Sequence, residues 1–543
     1  MNPVTRRSFL GGAVGAVAVT ATGTAARGSR IPLTRPEAPA VVIGSGFGGG
    51  VAALRLAQAG VPVLVLERGR WWPTGPDAET FPHAATPDLR DLFYTSWAQS
   101  EYQRLGIPPY AGLLEPIIGD NLIALVAAGV GGGSLVYEGM TLQPTENLFT
   151  TWFPAQIPYS EMDSVYYPRV ARMLGASTPP DALIASPTYA PVRVFADRAR
   201  AAGYDVSPVP QPVDWSYFFA ELAGRVKPSW TNGDCLLGVN NGGRHSVDVT
   251  YLRQARATGN VTVAALHNVT SVGQAPGGRW EVHADVTDVH GTVIAQKIIT
   301  TAALFMAAGS VGTTRLLVSA AGNGTVRDLP GALGQGYGTN GDQGYIWTDP
   351  AKNFGAPQGG PMVYGSFEWD SNPSVANTIA PCAIPPLSVN TALPSLLAPA
   401  GRLVTPPLDA QSTLLLAYGV SGTRGRIAYD PVTGGADLTW PAGGDAVLAE
   451  RIRQRVTAIA GPGAVLTDIT GLASLTLHSL GGACMNEACD TEGRVLGQRG
   501  LYVVDGALMP GTTCACNPSM TIAAIAERAL DRITATDVGT VFG

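Results

Sequence analysis

The chain has 543 residues, of which 45% are hydrophobic and only 14% charged, against roughly 25% charged in an average soluble domain. It can therefore bury a large core, in two or more domains or one composite enzyme. The net charge of -6, from 35 basic and 41 acidic residues with no block of one sign, argues against nucleic acid, whose phosphates need concentrated Lys and Arg. It also gives no reason to expect binding to an anionic membrane surface. With 67 glycines and 42 prolines, the chain reads as a loop-rich α/β protein built on tight turns.

The first element is a leader. Thr5-Arg6-Arg7-Ser8-Phe9-Leu10 precedes the weakly apolar run GGAVGAVAVTATGTAA. A twin-arginine pair, a short apolar run and small residues describe a Tat export signal over residues 1–26, with cleavage near Ala26 and secretion as the expected outcome. The run is too short for a transmembrane helix, which needs about 20 apolar residues, and no later segment reads as a span. Tat substrates cross folded, often with a cofactor already inserted, so the route itself hints at a cofactor.

After the Pro-rich joint SRIPLTRPEAP comes AVVIGSGFGGGVAALRLAQAGVPVLVLERG. It reads as a strand over 40–43, a glycine turn, a helix over about 47–59 and a second strand over 61–66 that ends in Glu67. Gly44, Gly46 and Gly49 form GxGxxG. The first permits the turn, the second lets backbone approach a pyrophosphate, and the third packs helix on strand. The helix N-terminus offers free amides to the phosphates, and the acid closing the second strand accepts from ribose hydroxyls. Dinucleotide binding follows, and the other segments favour FAD over NAD. AAGVGGGSLVYEGM (127–140) is a second glycine-rich loop. ALFMAAGSVGTTRLL (303–317) is a buried strand, turn and helix. LYVVDGALMPG (501–511) is a strand ending in Asp505-Gly506, and CNPSMTIAAIAERAL opens a C-terminal helix. Segments so far apart look like parts of one cofactor cleft.

Between them the texture changes. Residues 161–239 and 346–469 are richer in Pro, Trp and Tyr, with alternating runs such as RGRIAYD and ADLTWP. We read them as an inserted α+β substrate domain with a mixed or antiparallel sheet. The Rossmann-like FAD domain takes 37–160, 240–345 and 470–543. The six cysteines are Cys235, Cys382, Cys484, Cys489, Cys514 and Cys516. They lack zinc-site spacing, so no metal is expected, and they are read as small buried residues with at most one or two bridges.

These segments together resemble the glucose–methanol–choline (GMC) flavin oxidoreductases, and among them the secreted bacterial cholesterol oxidases with non-covalent FAD. The resemblance rests on VVIGSGFGGGVAALRLAQAGV, PPYAGLLEP, GVGGGSLVYEGM, SVDVTYL, ALFMAAGSVGTTRLLV, GYGTNGD, WDSNPSVANTIAP, HSLGGACM, GRVLGQRGLYVVDGALMPG and NPSMTIAAIAER, in that order. It implies hydride transfer from an alcohol C–H to FAD, with reoxidation by dioxygen to hydrogen peroxide. The matching polar pair is His478 and Asn517. An imidazole at the substrate hydroxyl eases loss of the proton, and an amide NH2 near the flavin or substrate oxygen positions it. The same resemblance puts Gly44, Gly46 and Gly49 at the pyrophosphate, Glu67 at the ribose and Val269 at the adenine side. Gly129, Gly132, Gly133 and Ser134 then pass near the flavin, Asp505 and Gly506 near the phosphates and ribitol, and Asn517, Pro518 and Ser519 at the flavin end. Met140 and Thr378 are placed toward substrate. The other histidines, His83, His245, His267, His283 and His290, are read as structural or surface groups. The implied partner is a bulky lipophilic alcohol, a sterol or similar, drawn from a membrane surface by transient contact.

Three positions depart from the family. Sterol oxidases that also move the ring double bond use a glutamate before Ile-Ala-Pro; here Thr378 stands there, and a hydroxyl cannot shuttle that proton. Tyr137 replaces an Asn, and Ala128 an Arg. A sterol oxidase releasing an unisomerised ketone and a homologue adapted to another alcohol both fit. So do a dehydrogenase passing electrons to a quinone or protein, and a flavin-holding lyase or redox-silent binding protein.

Overall fold

The computed structural model describes residues 31–86, 88–94, 108–382, 406–473 and 475–542; the expected leader over residues 1–26 lies outside them. Glu37–Ile43 (β1) is apolar over its second half, where Ala40, Val41 and Val42 are fully buried, as a strand covered on both faces requires. Helix Phe47–Gln58 (α1) follows, and Val63–Leu66 (β2) returns parallel to β1. Val261–Ala264 (β3) extends the sheet in parallel beyond β2. His267–Ala275 (β4), Arg279–Thr287 (β5) and Val293–Met306 (β6) form an antiparallel run. The second half of β6 then pairs in parallel with β1, Ala303 opposite Ala40 and Met306 opposite Ile43. Helix Gly309–Gly322 (α2) leaves β6 through the turn at Ala307 and Ala308.

The second sheet is antiparallel. Gln343–Thr348 (β7), Tyr364–Glu368 (β8), Asn377–Cys382 (β9), Ser412–Gly419 (β10) and Val465–Asp468 (β11) lie in the order β11-β7-β10-β9-β8. It starts at Gln343, so the strand straddles the boundary expected after residue 345. Side chains of β10 alternate. Leu414, Leu416 and Tyr418 face one apolar cluster, whereas Leu415 joins another with Ile452 and Val456 of helix Ala446–Ala460 (α3). The sheet is thus a wall with helices behind it and a chamber in front.

The chain finally returns to the first sheet. Leu501–Val503 (β12) adds in parallel to β6, and helix Pro518–Thr536 (α4) packs on α1, where Arg55 Nε donates to the fully buried Glu527 at 2.6 Å. All six cysteines are buried and stand outside any disulfide, so the one or two bridges allowed from sequence are not formed. No helix among the described residues is long and apolar enough to cross a membrane.

Candidate active site

β1 ends at Ile43 and the chain turns at Gly44, whose φ of +98° favours glycine; a Cβ there would lie 2.1 Å from the Ala307 carbonyl oxygen. Gly49 is boxed in as tightly, 2.1 Å from the Gly44 oxygen. It packs α1 on the turn and does not line the cavity, which corrects the expectation that it faces the pyrophosphate. Gly46 is different. Its φ is -73°, and the nearest atom to a Cβ there would be Gly132 Cα at 3.9 Å. A Cβ on Gly133 would meet nothing within 4 Å. Both line a cavity of about 500 Å³. No protein contact demands glycine at either place, so the bare backbone is open to a ligand. With the amides at the start of α1 beside it, this cradle fits a pyrophosphate.

Two buried carboxylates build that cradle. Glu67 Oε2 accepts from the Ser45 hydroxyl at 2.6 Å and its amide at 3.2 Å, and Oε1 accepts from the Gly69 amide at 2.9 Å. Asp505 Oδ2 accepts from the Gly309 amide at 2.8 Å and the Thr313 hydroxyl at 2.6 Å, and Oδ1 from the Ala507 amide at 2.8 Å. Burial pushes the Asp505 carboxyl up to about 6 against the pull of these bonds. Glu67, Asp505, Gly506, Gly132 and Val269 all line the cavity. So does His267, which sequence reasoning set aside; its Nε2 and the neighbouring Asn268 Nδ2 are buried without partners. Gly129 and Ser134 do not line it. Gly129 lies under Trp72, and the Ser134 hydroxyl donates to the Gly131 carbonyl at 2.7 Å while accepting from the Val247 amide at 2.8 Å. They shape the loop that Gly132 and Gly133 present.

The cavity opens on a second one of about 350 Å³, since Phe47, Ala127, Leu477 and Ser479 line both. This chamber is apolar, walled by Met140, Leu236, Met362, Leu414, Leu416 and Tyr418. The Tyr418 hydroxyl donates to Met140 Sδ at 3.0 Å. His478 lines the chamber, its ring edge-on to Tyr418. Its Nδ1 lies 2.6 Å from Asp342 Oδ1, and Asp342 Oδ2 accepts from the Thr476 hydroxyl at 2.8 Å and the amides of Leu477 and His478 at 2.7 and 3.0 Å. Asp342 was missed from sequence, although it closes the GYGTNGD segment.

Asn517, Pro518 and Ser519 line the chamber at the N-terminus of α4. The expected free NH2 of Asn517 is committed to Ser519 Oγ at 2.8 Å, and the unpartnered atom is Oδ1. Turning the amide exchanges the two roles, with the Ser519 hydroxyl then donating. Thr378 is a clearer correction. It shares the face of Ala380 on β9, but its hydroxyl donates to the Ala515 carbonyl at 2.7 Å and accepts from Trp369 Nε1 at 3.0 Å. It is fully buried and absent from the chamber lining; it holds the loop that delivers Asn517. Tyr137 lines the chamber and donates to the His245 carbonyl at 3.1 Å, whereas Ala128 is packed in the interior.

The sequence model of GMC oxidoreductases matches residues 11–335, more than half of the chain, and a second model of the same description matches residues 449–526. The chain belongs to the GMC oxidoreductase family. Members of that family are flavoproteins acting on CH–OH donors. Among similar proteins, this GMC oxidoreductase is 29% identical over 307 residues to a cholesterol oxidase of Mycobacterium tuberculosis, covering 51% of this chain and 47% of that one. It is 31% identical over 139 residues to a long-chain-alcohol oxidase of Arabidopsis thaliana, covering 24% and 16%. The matched region thus spans about half the length of the first relative and less of the second. The crystal structure of pyridoxine 4-oxidase from Mesorbium loti superposes with a TM-score of 0.61 at 15% identity, covering 91% of this chain and 99% of that one; at that identity the agreement is one of fold.

Proposed function

We propose that this chain is an FAD-dependent alcohol oxidase that converts a secondary carbinol of a bulky lipophilic molecule, a sterol hydroxyl or a similar group, to the ketone. The observation that carries the reading is the His478–Asp342 pair in the wall of an apolar chamber that opens on a glycine cradle. An FAD held there would supply the two-electron acceptor for the carbinol hydride, with dioxygen as the final oxidant and hydrogen peroxide as its product. Gly46, Gly132, Gly133 and the start of α1 would hold its pyrophosphate, Glu67 its ribose, Val269 and His267 the adenine side, and Gly506 with the start of α4 the flavin end.

The remaining chemistry is that of the chain itself. Asp342 accepts from Nδ1–H and so fixes the imidazole tautomer, leaving Nε2 as the ring's acceptor. Nε2 takes the hydrogen bond of the substrate hydroxyl and then its proton. Negative charge grows on the carbinol oxygen as that proton leaves, which weakens the C–H bond. Asp342 stabilises the imidazolium formed beside it. Asn517 offers a polar atom to the same space and orients the hydroxyl, while the apolar wall excludes water and seats the carbon frame. The engaged Thr378 hydroxyl supports a product whose ring double bond stays where the substrate has it. The leader supports export by the twin-arginine route as part of the same proposal, checked by Arg6→Lys with Arg7→Lys, which should retain the protein inside the cell.

The test is anaerobic titration of the purified yellow protein with cholesterol and a set of other bulky secondary alcohols, followed by air. Bleaching, then peroxide equal to ketone, is expected. A bleached flavin that air leaves reduced and a quinone reoxidises would make the enzyme a dehydrogenase. A flavin that no alcohol bleaches would make the chain a binding protein or lyase.

A further inference from the structure

Glu138 is used by neither the cradle nor the His478 pair. It lines the substrate chamber and is only 5% exposed, and both of its carboxylate oxygens are buried without a hydrogen-bond partner. Leaving a carboxylate's lone pairs empty in an apolar wall is costly. The groups around it do not answer it. Arg244, whose charge it feels, spends its guanidinium on the Leu135 carbonyl and on the Cys235 carbonyl and thiol. The Tyr189 hydroxyl, which shares this environment, donates to the Gly360 carbonyl at 2.6 Å. The Cys235 thiol and the Met362 amide face the carboxylate and favour its charged form, yet neither closes a hydrogen bond on Oε1 or Oε2. Leu236, Leu237, Leu414 and Leu416, which also line the chamber, bring no donor side chain.

We infer that Glu138 reads a second hydrogen-bond donor on the substrate, so that the molecule oxidised at His478 is a lipophilic alcohol bearing a further hydroxyl or amino group. The inference rests on the alcohol-oxidase reading of the same chamber and adds a specificity-determining residue to it. An O–H or N–H that reaches Glu138 turns an orphan acceptor into a satisfied one. A mono-alcohol of the same shape buries the chamber and leaves the carboxylate unanswered, which is the arrangement by which sites reject analogues lacking a polar group. Hydroxyl and ammonium supply the same donor and differ in charge. Burial pushes the Glu138 carboxyl up to about 7, with Arg244, the Cys235 thiol and the Met362 backbone opposing. An ammonium therefore gains as pH rises through that value, whereas a hydroxyl bonds either form.

The experiment uses flavin-loaded wild type, Glu138→Leu and the isosteric Glu138→Gln, with anaerobic flavin bleaching as the readout. Two matched series are compared. One is androstanol, androstanediol and the analogue with an amine in place of the second hydroxyl. The other is a long-chain secondary alcohol with a methyl, hydroxyl or amino terminus, whose flexible chain spans any distance within the chamber. In at least one series wild type should prefer a two-donor member over the mono-alcohol by at least about tenfold in kcat/KM, carried by KM. Glu138→Leu should abolish that preference without slowing the mono-alcohol. Glu138→Gln should keep hydroxyl selection and lose amine selection. A preference for the amine that climbs between pH 6 and 8 would identify a cation; a pH-independent preference for the diol would identify a hydroxyl. Equal or better use of the mono-alcohols by wild type, or a preference that survives Glu138→Leu, overturns the inference while the oxidase reading stands. Flavin that no member bleaches overturns both.

Discussion

The two cavities meet at Phe47 and Ser479, yet their carboxylates are in opposite states. In the cofactor cleft, Glu67 and Asp505 are each engaged from behind by hydroxyls and backbone amides. In the chamber, Glu138 Oε1 and Oε2 and Asn517 Oδ1 have no partner, and the other acid among the described lining residues is Asp342, which is paired and serves His478. The difference separates construction from recognition. Glu67 and Asp505 fix backbone, so that a ligand finds the cradle already formed. The unpartnered chamber atoms are held by packing alone, and their energy is decided by what a ligand brings. The cleft repeats the second state at its β4 edge, where His267 Nε2 and Asn268 Nδ2 wait unpaired.

The comparison breaks most sharply at His478. His478→Ala should slow anaerobic flavin reduction by about 10²–10⁴-fold, the span of a lost general base, while bound flavin per chain stays unchanged. Asp342→Asn keeps the ring in place but no longer dictates which nitrogen carries the proton, and should cost on the order of 10²-fold in the same assay; an Asn variant as fast as wild type would remove the dyad from the mechanism. On the other side, Glu67→Ala strips the acceptor from the Ser45 amide and hydroxyl and the Gly69 amide. It should release flavin and lower stability by at least about 2 kcal/mol, read as flavin content and a denaturation midpoint. Met140→Ala, in the chamber, should leave flavin content alone. Thr378→Val, between the two, orphans the Ala515 carbonyl and Trp369 Nε1; stability should fall by about 1–3 kcal/mol and kcat only a few-fold, through the loop before Asn517.

What sequence could tell follows the same division. The cradle is one strand–turn–helix–strand unit, so its chemistry is written in consecutive residues, and Gly44, Gly46 and Glu67 all line the cavity. Even there the third glycine misleads. The helix turns Gly49 inward against Gly44, while Gly48, which borders the cavity, packs on the Val504 carbonyl. The chamber is assembled by register instead. His478 and Asp342 are 136 residues apart, and nothing local to either announces the other. Alternation along β9 places Thr378 on the chamber face, but the loop around Ala515, from the far end of the chain, covers it. Glu138 carries one signal in the sequence, a charged residue at the end of a glycine-rich loop, next to the Tyr137 that departs from the family.

A pH series tests whether Glu138 lacks a hydrogen-bond partner in the folded protein. Its carboxyl is held at about 7 in the folded chain against 4.5 when exposed. Below pH 4.5 it is protonated in both states and contributes no pH dependence. Between pH 4.5 and 7 the unfolded chain releases the proton while the folded chain retains it, so rising pH favours unfolding. Above pH 7 the loss is complete and amounts to about 3 kcal/mol. Glu138→Gln is neutral throughout and escapes it. The variant should therefore gain on wild type in denaturant midpoint between pH 5 and pH 8 and be the more stable at pH 8. Glu67→Gln, which replaces a satisfied acceptor, should be less stable than wild type at both. Parallel curves for wild type and Glu138→Gln would mean that the carboxylate already has a partner in the empty chamber, and the distinction between the two cavities would fail at the residue on which it depends most.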